Sequence, residues 1–195
     1  ADDFVIVVRS ERAAQRVMKG TIAYLEEELG LLVNREKSRV APIKEVTFLG
    51  FQILRGKIRV STKAQARFKD RVRELTRRNN PLSIYQVIHE LNKYLRGWVG
   101  YFGIQEFKYL LRDLDAWIRS RLRSTQLKKW KKPNKFQRIM IMAGFDPNEA
   151  HRTWIKMNRW QSVMRPPVRF VMNMDWFRQR GLVFLHDSTI ALSRA

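Results

Sequence analysis

The fold is decided by residues 83–102, SIYQVIHELNKYLRGWVGYF. Ser83 and Gln86 have the spacing of a capping box, in which both side chains satisfy backbone N–H groups at the start of a helix. Apolar residues then recur every three or four positions, at Ile84, Val87, Ile88, Leu91, Leu95 and Val99. That period is typical of an amphipathic helix with one buried face. The stretch therefore predicts a helix at the centre of a helical core.

Two further helices are predicted beside this one. Ser61 is expected to cap a helix that ends at about residue 79, with an inward face of Phe68, Val72 and Leu75. Another helix is predicted from about residue 105 to residue 130, with an apolar seam of Leu111, Leu114, Ile118 and Leu122. The three helices together predict a bundle over residues 61–132.

The chain on either side of the bundle has other patterns. Residues 1–60 predict a short strand at 4–8, a helix between Ser10 and Gly30, and a hairpin of residues 46–53 and 57–60. Residues 133–195 predict three short helices, which cover residues 134–142, begin at Asp146-Pro147, and run from about Pro167 to Gly181. The predicted fold class is therefore α+β, with short antiparallel strands and a helix, then a mainly helical bundle and a helical tail.

The charge of the chain points to a polyanion. Lys and Arg number 39 against 18 Asp and Glu, which gives a net charge of +21. Residues 61–132 hold 18 of the basic residues and only six of the acidic ones. Such an excess on a folded chain is the electrostatic footprint of nucleic-acid binding. A membrane surface is not expected as the partner, because no apolar run approaches the roughly 20 residues of a membrane span.

Helical spacing aligns the basic residues into two ridges. The first basic ridge is Lys63, Arg67, Arg71 and Arg78, and the second basic ridge is Lys108, Arg112, Arg119 and Arg123. Five more candidate contacts lie nearby, namely Arg96, Lys128, Lys129, Lys131 and Lys132. Ridges on neighbouring helices are suited to the phosphates of a duplex or of folded RNA. A solvated helix surface is the alternative interpretation.

Glycines and aromatic residues mark the end of the central helix. Gly97, Gly100 and Gly103 recur every three residues, which predicts a smooth strip for close packing against another helix or a nucleic-acid backbone. The neighbouring rings of Trp98, Tyr101 and Phe102 are expected to fill the core rather than to stack on bases.

Two adjacent carboxylates, Asp2 and Asp3, precede the apolar run of residues 4–8. Paired carboxylates at a strand turn can hold Mg²⁺, which prefers oxygen ligands and phosphate co-ligands. Two such ions can clamp an in-line phosphoryl transfer. A purely structural turn is the alternative for the pair.

Five segments in order carry a family resemblance. They are Ala1-Asp2-Asp3-Phe4, Leu29-Gly30-Leu31 with Asn34-Arg35-Glu36-Lys37-Ser38, Phe48-Leu49-Gly50-Phe51, residues 95–102, and residues 176–182. The first is similar to a Tyr-Ala-Asp-Asp polymerase signature without its tyrosine. As a set, they resemble bacterial group II intron reverse transcriptases, also called maturases.

The resemblance implies roles for the first part of the chain. Asp2 and Asp3 become catalytic Mg²⁺ ligands of a polymerase palm, and residues 48–51 (Phe48, Leu49, Gly50 and Phe51) become a primer grip. Lys37 would lie near the incoming triphosphate, where an ammonium group can assist the leaving pyrophosphate. A solvated turn lysine is the alternative for Lys37. The implied domains are the end of the palm over 1–60, a thumb or maturase domain over 61–132, and a basic tail over 133–195.

The implied activity is RNA-directed DNA synthesis from dNTPs in an intact protein. Such a protein also binds its group II intron RNA and an RNA/DNA template-primer duplex, and it supports splicing and retrohoming in the bacterial cytoplasm. A third aspartate and the fingers are expected in an N-terminal half that docks to this chain. The chain alone is therefore expected to be inactive. The alternatives are a reverse transcriptase of a CRISPR-associated, retron or diversity-generating system, or an RNA-binding splicing cofactor without polymerase activity.

Overall fold

The computed structural model describes residues 3–130, 133–155 and 163–192. It confirms the α+β class. Contacts divide the chain into two units, residues 1–64 and residues 65–195, and the boundary lies in the first turn of a helix. The finer division into residues 1–60, 61–132 and 133–195 stays a prediction.

The first unit begins with a capped helix. The hydroxyl of Ser10 accepts a 3.2 Å hydrogen bond from the N–H of Ala13 and starts α1, Glu11–Ala23. A π-helical turn, Tyr24–Glu28, continues it. Gly30 follows with a φ of +60°, a left-handed conformation that ends a helix. The predicted helix is thus confirmed, although none of the residues of α1 is buried.

A small antiparallel sheet follows, with the strand order β1-β2-β3. Its strands are β1 Thr47–Phe48, β2 Phe51–Leu54 and β3 Lys57–Val60, and a 3₁₀ turn, Ile43–Glu45, precedes them. Both connections are two residues long. Leu49 and Gly50 have φ values of 49° and 82°, and Arg55 and Gly56 have values of 52° and 74°. Positive φ at both central residues is typical of type I′ turns, so the hairpin prediction is confirmed.

The strand predicted at residues 4–8 is wrong. These residues have no ladder partner within the described chain. The side chains of Phe4, Val5, Ile6 and Val7 are exposed. A strand requires a neighbour for its backbone N–H and C=O groups, and the apolar pattern by itself does not provide one.

The second unit is built on the predicted bundle. Its helices are α2 Thr62–Leu75, α3 Ile84–Phe102 and α4 Lys108–Lys129. The capping box of Ser83 and Gln86 is present in both directions. All six apolar residues predicted for α3 and all four of the α4 seam are buried. The predicted inward residues of α2 are confirmed for Phe68 and Val72, whereas Leu75 is half-buried.

α2 ends four residues before the predicted position. The Thr76 hydroxyl donates to the Val72 carbonyl, and the Asn80 amide donates to the Leu75 carbonyl at 3.1 Å. Side chains therefore satisfy the last carbonyls of α2, and the chain turns away.

The three aromatic residues at the end of α3 differ in their burial. Trp98 is 7% exposed and packs on Phe68 with 4.6 Å between ring centroids, so its predicted place in the core is confirmed. Phe102 is half-buried against Trp98 at 5.0 Å. Tyr101 is 50% exposed, so its predicted place in the core is wrong. It lies on the outer face of α3, where its ring meets the Phe102 ring edge-on with 4.7 Å between centroids.

The C-terminal part of the second unit has five helices among the described residues. They are α5 Pro133–Met142, α6 Pro147–Ile155, α7 Pro166–Val171, α8 Met174–Arg178 and α9 Leu185–Leu192. The helix predicted from about Pro167 to Gly181 is divided, because Asn173 caps α8 by accepting from the Trp176 N–H at 2.9 Å. α9 is not predicted, and it packs on both α3 and α4. Among the described helices, none combines the length and apolarity that crossing a membrane requires.

Candidate nucleic-acid interface

The first basic ridge is partly present on α2. Lys63 and Arg67 are exposed, and neither forms an ion pair with another described residue. Arg71 is exposed but pairs with Glu74 at 2.6 Å. Arg78 lies beyond the end of α2, so it is not on the helical ridge that the spacing predicts. The exposed cations of this helix available to a phosphate are therefore Lys63 and Arg67.

The second basic ridge runs from the exposed start of α4 into its buried part. Lys108 and Arg112 are exposed, and Arg112 Nε donates to His186 Nε2 at 3.1 Å. Arg119 is half-buried, with its guanidinium 5.6 Å from the centre of the Phe184 ring. Burial lowers the pKa of Arg119, while the charge of Asp115 opposes that shift.

The prediction that Arg123 belongs to the nucleic-acid surface is wrong. Its side chain is buried, with 6% of the residue exposed. Nε and Nη2 donate to the Met172 carbonyl at 3.0 Å and 2.8 Å, and the guanidinium lies 5.5 Å from the centre of the Phe177 ring. Burial lowers the pKa of Arg123 to about 10. Arg123 is an internal anchor for the segment between α7 and α8, because that segment covers this face of α4.

The remaining predicted cations divide into exposed and engaged groups. Arg96 on α3 and Lys128 on α4 are exposed. The Nζ of Lys129 donates to the Asn80 carbonyl at 2.9 Å and also to the Leu82 carbonyl. The ammonium group of Lys129 is therefore engaged with loop carbonyls of the protein itself. Lys131 and Lys132 lie outside the described residues.

The carboxylates predicted to hold Mg²⁺ are only partly described. Asp3 is exposed in a non-helical segment, and Asp2 lies outside the described residues. No group of three His, Cys, Asp or Glu side chains in the described ranges could hold a metal ion. The described part of the chain does not by itself complete a site for Mg²⁺.

Lys37 lies in a turn, as predicted. Its backbone N–H donates to the Asn34 side chain at 3.1 Å, which fixes the turn, and its own side chain is exposed. A role near a triphosphate and that of a solvated turn lysine are both compatible with this position, so the role of Lys37 stays a prediction.

The segment predicted as a primer grip forms a tight hairpin. Phe48 pairs with Phe51 across the Leu49-Gly50 turn. The Gly50 carbonyl accepts a 2.8 Å hydrogen bond from the N–H of Ser61, the residue that caps α2. The hairpin turn is therefore tied to the start of α2. The geometry is as predicted, and contact with a primer remains a prediction.

Three side chains on one face of α4 hold the loop between α2 and α3. Arg121 donates from Nη2 to the carbonyls of Arg73 and Thr76, at 3.4 Å and 3.2 Å. The Thr125 hydroxyl donates to the same Thr76 carbonyl at 3.0 Å, and Lys129 binds the next part of the loop. The spacing of four residues places these side chains in one row. The spacing of four residues indicates the row in the sequence. It does not indicate the partners of the row in the loop, which lie more than 40 residues away along the chain.

Two buried polar side chains hold the C-terminal segment. The Asn92 amide donates to the Gly181 carbonyl at 2.7 Å and accepts from the Val183 N–H at 2.9 Å. Asp115 accepts from the N–H groups of Leu185 and His186 at 2.9 Å and 3.1 Å. Burial raises the pKa of Asp115, although the two backbone donors oppose the shift. Neither residue was among the predicted site residues, because a polar residue on a helix carries no local sign of a distant partner.

One comparison with known proteins finds a match over the bundle. The family model described as the group II intron, maturase-specific domain matches residues 65–141. This range contains most of α2, all of α3 and α4, and most of α5. A search of the curated proteins finds no match. The resemblance seen in the sequence motifs is thus confirmed over residues 65–141, which match the group II intron, maturase-specific domain.

Proposed function

We propose that the second unit binds structured group II intron RNA through its exposed cations and favours the folded form of that RNA during splicing. The observation that carries the proposal is the match of residues 65–141 to the maturase-specific domain. Support comes from Arg67 and Arg96, which are exposed and have no ion-pair partner among the described residues. This activity requires no side-chain chemistry, because phosphate contacts need only a fixed array of positive charge.

The RNA-binding proposal is tested by salt dependence. Affinity of the chain for a transcribed group II intron is measured over a range of salt concentrations. Each phosphate contact that is lost reduces the magnitude of the log–log slope by roughly 0.7–0.9. The double variant R67A/R96A is expected to reduce both affinity and slope. R12A/R16A removes the same charge from exposed positions of α1 and serves as the control. A flat salt response of the wild-type chain would refute the proposal.

We further propose that residues 1–64 are the end of the palm in a longer RNA-directed DNA polymerase. Support comes from the polymerase-like motifs around Asp2-Asp3 and from the Leu49-Gly50 hairpin. In that protein, Asp2 and Asp3 would hold Mg²⁺ with ligands from outside this chain. The exposed apolar residues 4–7 are suited to contact with the rest of the palm and the fingers. The proposed location is the bacterial cytoplasm, on the family resemblance alone.

The polymerase proposal is tested by dNTP incorporation on an RNA template with a DNA primer. A longer protein that includes this chain is expected to incorporate dNTPs with Mg²⁺ and to lose the activity in D2N or D3N. The 195-residue chain alone is expected to incorporate none. Lys37→Ala is expected to slow single-turnover incorporation more than it weakens template binding. Unchanged single-turnover rates would remove Lys37 from the mechanism.

Two alternatives differ in their support. The match to the maturase-specific domain favours the intron type over a CRISPR-associated, retron or diversity-generating reverse transcriptase. A splicing cofactor without polymerase activity is the second candidate function, because the matched range lies wholly within the second unit. Intron binding without dNTP incorporation by the longer protein would favour that candidate.

A further inference from the structure

A cleft in the second unit is lined by three arginines. It has a volume of about 650 Å³ and lies where the loop between α2 and α3 meets α4. The lining residues are Glu74, Arg77, Arg78, Asn79, Asn80, Pro81 and Arg121. The carboxylate of Glu74 pairs with Arg71, which is outside the lining. The lining therefore has three arginines and one carboxylate, which is already paired, and we call it the arginine cleft.

The frame of the arginine cleft is fixed by the protein itself. Arg121, Thr125 and Lys129 bind the carbonyls of the loop, as described above. Within the loop, Asn80 donates its amide to the Leu75 carbonyl and accepts from the Leu82 N–H at 3.0 Å. The carbonyls of Thr76, Asn80 and Leu82 are thus bound by side chains of α4, and the Asn80 side chain braces the loop from within. A loop held in this way presents its outward side chains at positions set before any ligand arrives, which reduces the entropy lost on binding.

The two arginines that the loop presents have no partner among the described residues. Arg77 is exposed and forms no ion pair. Arg78 is half-buried, and its Nε is buried without any hydrogen-bond acceptor within the described chain. A buried N–H of a charged group that lacks an acceptor is unfavourable by more than a neutral one. The position therefore calls for an acceptor that the described residues do not supply.

Arg121 contributes a third positive charge and still has donors to offer. Its Nε donates to the Thr76 hydroxyl at 3.2 Å, and Nη2 donates to the loop carbonyls. Nη1 has no acceptor among the described residues. Burial lowers the pKa of Arg121, and the nearby charge of Arg73 acts in the same direction. An anion in the cleft would stabilise the charged form of Arg121 and so oppose both effects.

We propose that the arginine cleft binds a phosphate group of the RNA backbone, with Arg77 and Arg78 as the principal donors and Arg121 as the fixed base of the site. The inference rests on the proposed function for the nature of the polyanion. Guanidinium groups match phosphate oxygens with paired N–H donors, and their charge does not depend on pH in the physiological range. Spacing assigns Arg78 to the first basic ridge, but this residue lies beyond the end of α2, and the cleft that it lines is built on the loop.

The cleft itself is tested first, without RNA. Inorganic phosphate is titrated into the full chain, and the ¹⁵N–¹H resonance of Arg78 Nε is followed, with R78K used to assign it. A saturable shift is expected with phosphate and not with chloride at equal ionic strength. No shift, or an equal shift with chloride, would overturn the inference. An equal saturable shift with acetate would overturn the choice of phosphate and indicate a carboxylate partner.

The role in RNA binding is tested next with matched double variants. R77A/R78A is expected to weaken binding of a fluorescent RNA hairpin about tenfold or more at low salt, because two charge-assisted contacts are lost. It is also expected to reduce the salt slope by more than the charge-matched R12A/R16A. Circular dichroism and thermal melting establish that the variants are folded. Arg121 is left intact, because its loss would release the loop.

The outcomes separate the two proposals. If wild-type protein binds RNA and R77A/R78A behaves like R12A/R16A, the arginine cleft is not an RNA contact and the proposed function stands. If the wild-type chain binds no RNA, the proposed function fails, and with it the claim that the phosphate comes from RNA. In that case the phosphate titration still decides whether the cleft is an anion site.

Discussion

The carboxylate of Asp115, in the middle of α4, accepts a 2.9 Å hydrogen bond from the backbone N–H of Leu185, the first residue of α9. A second bond, from the His186 N–H at 3.1 Å, completes the cap. The first N–H groups of a helix have no partner within that helix and require an outside acceptor. α9 therefore obtains its cap from another helix, 70 residues away in the sequence.

We expect Asp115→Ala to destabilise the second unit by about 1–3 kcal/mol, because it leaves buried N–H groups of α9 without acceptors. The free energy of unfolding is measured in urea, and hydrogen exchange is followed at Leu185 and His186. Asp113→Ala is the matched control, since Asp113 is exposed on the same helix. A change within about 0.5 kcal/mol is expected for the control. Equal effects of the two substitutions would contradict the capping role.

The stability that Asp115 contributes depends on pH. Burial raises the pKa of this carboxyl above its ordinary value of 3.8, so the folded state holds a proton that the unfolded state has already lost. Its contribution to stability is therefore greatest below that value and falls as the pH rises through the raised folded pKa. Asp115→Asn does not titrate. The difference in unfolding free energy between wild type and D115N should move against wild type as pH rises through this window. A constant difference would contradict the shift.

Alanine substitutions at Arg123 and at Arg67 should have opposite effects on stability and on the salt dependence of RNA binding. Arg123→Ala is expected to lower the free energy of unfolding by about 1–3 kcal/mol, because the buried Met172 carbonyl loses its charged donor. Its RNA salt slope is expected to stay close to that of wild type. Arg67→Ala, at an exposed position, is expected to reduce the slope and to leave stability unchanged. RNA titrations and urea unfolding at low temperature check the pair. A reduced slope for folded R123A would restore Arg123 to the RNA surface.

The hairpin turn at Arg55-Gly56 can be improved. Arg55 has a φ of 52°, a conformation that is unfavourable for most residues with a side chain and tolerated by asparagine. Arg55→Asn is expected to stabilise the first unit by on the order of 1 kcal/mol. Arg39→Asn makes the same change at an exposed residue with ordinary φ and should have no such effect. Urea unfolding followed by NMR signals of the hairpin measures both. A loss of stability in R55N would contradict the turn geometry.

The glycines of α3 allow a test of the predicted smooth strip. Beyond the adjacent residues and nearby backbone of α3 itself, a Cβ added at Gly97 or Gly100 meets no atom within 4 Å, so close packing against another helix is not found there among the described residues. Each alanine substitution should stabilise α3 by about 0.5–1 kcal/mol. If the strip contacts an RNA backbone, G97A/G100A will also weaken RNA binding. Gly20→Ala on α1 is the control, since it too has open space. Unchanged RNA affinity in G97A/G100A would exclude the strip as a contact.

The bundle was predictable because its signals are local. The capping box at Ser83 and the apolar period of α3 lie within one continuous segment, so both could be identified before any contact was known. The same holds for the Arg55-Gly56 turn. Local periodicity places side chains on one face of a helix. The apolar faces of α3 and α4 are expected to be buried, whichever part of the chain covers them.

The errors arose where distant parts of the chain decide the outcome. Helical spacing gives the angular position of Arg123, but not the segment that covers that position, and Met172 is 49 residues away. The start of α9 is capped by Asp115 of α4 and not by a neighbouring residue, so the sequence near Leu185 has no local signal for the start of a helix. Residues 4–8 have a strand pattern without a described partner. The arginine cleft was missed for the same reason, since Arg77 and Arg121 meet only in three dimensions.

The contacts of the C-terminal segment also have a consequence for the order of folding. Asn92, Asp115 and Arg123 all bind backbone groups that lie 49 to 91 residues later. During synthesis, α3 and α4 leave the ribosome well before the residues that satisfy these side chains. Contacts of such long sequence separation form late and slow the folding of a chain. In the nascent bundle, these polar groups therefore stay hydrated until the C-terminal segment has been synthesised and packs over them.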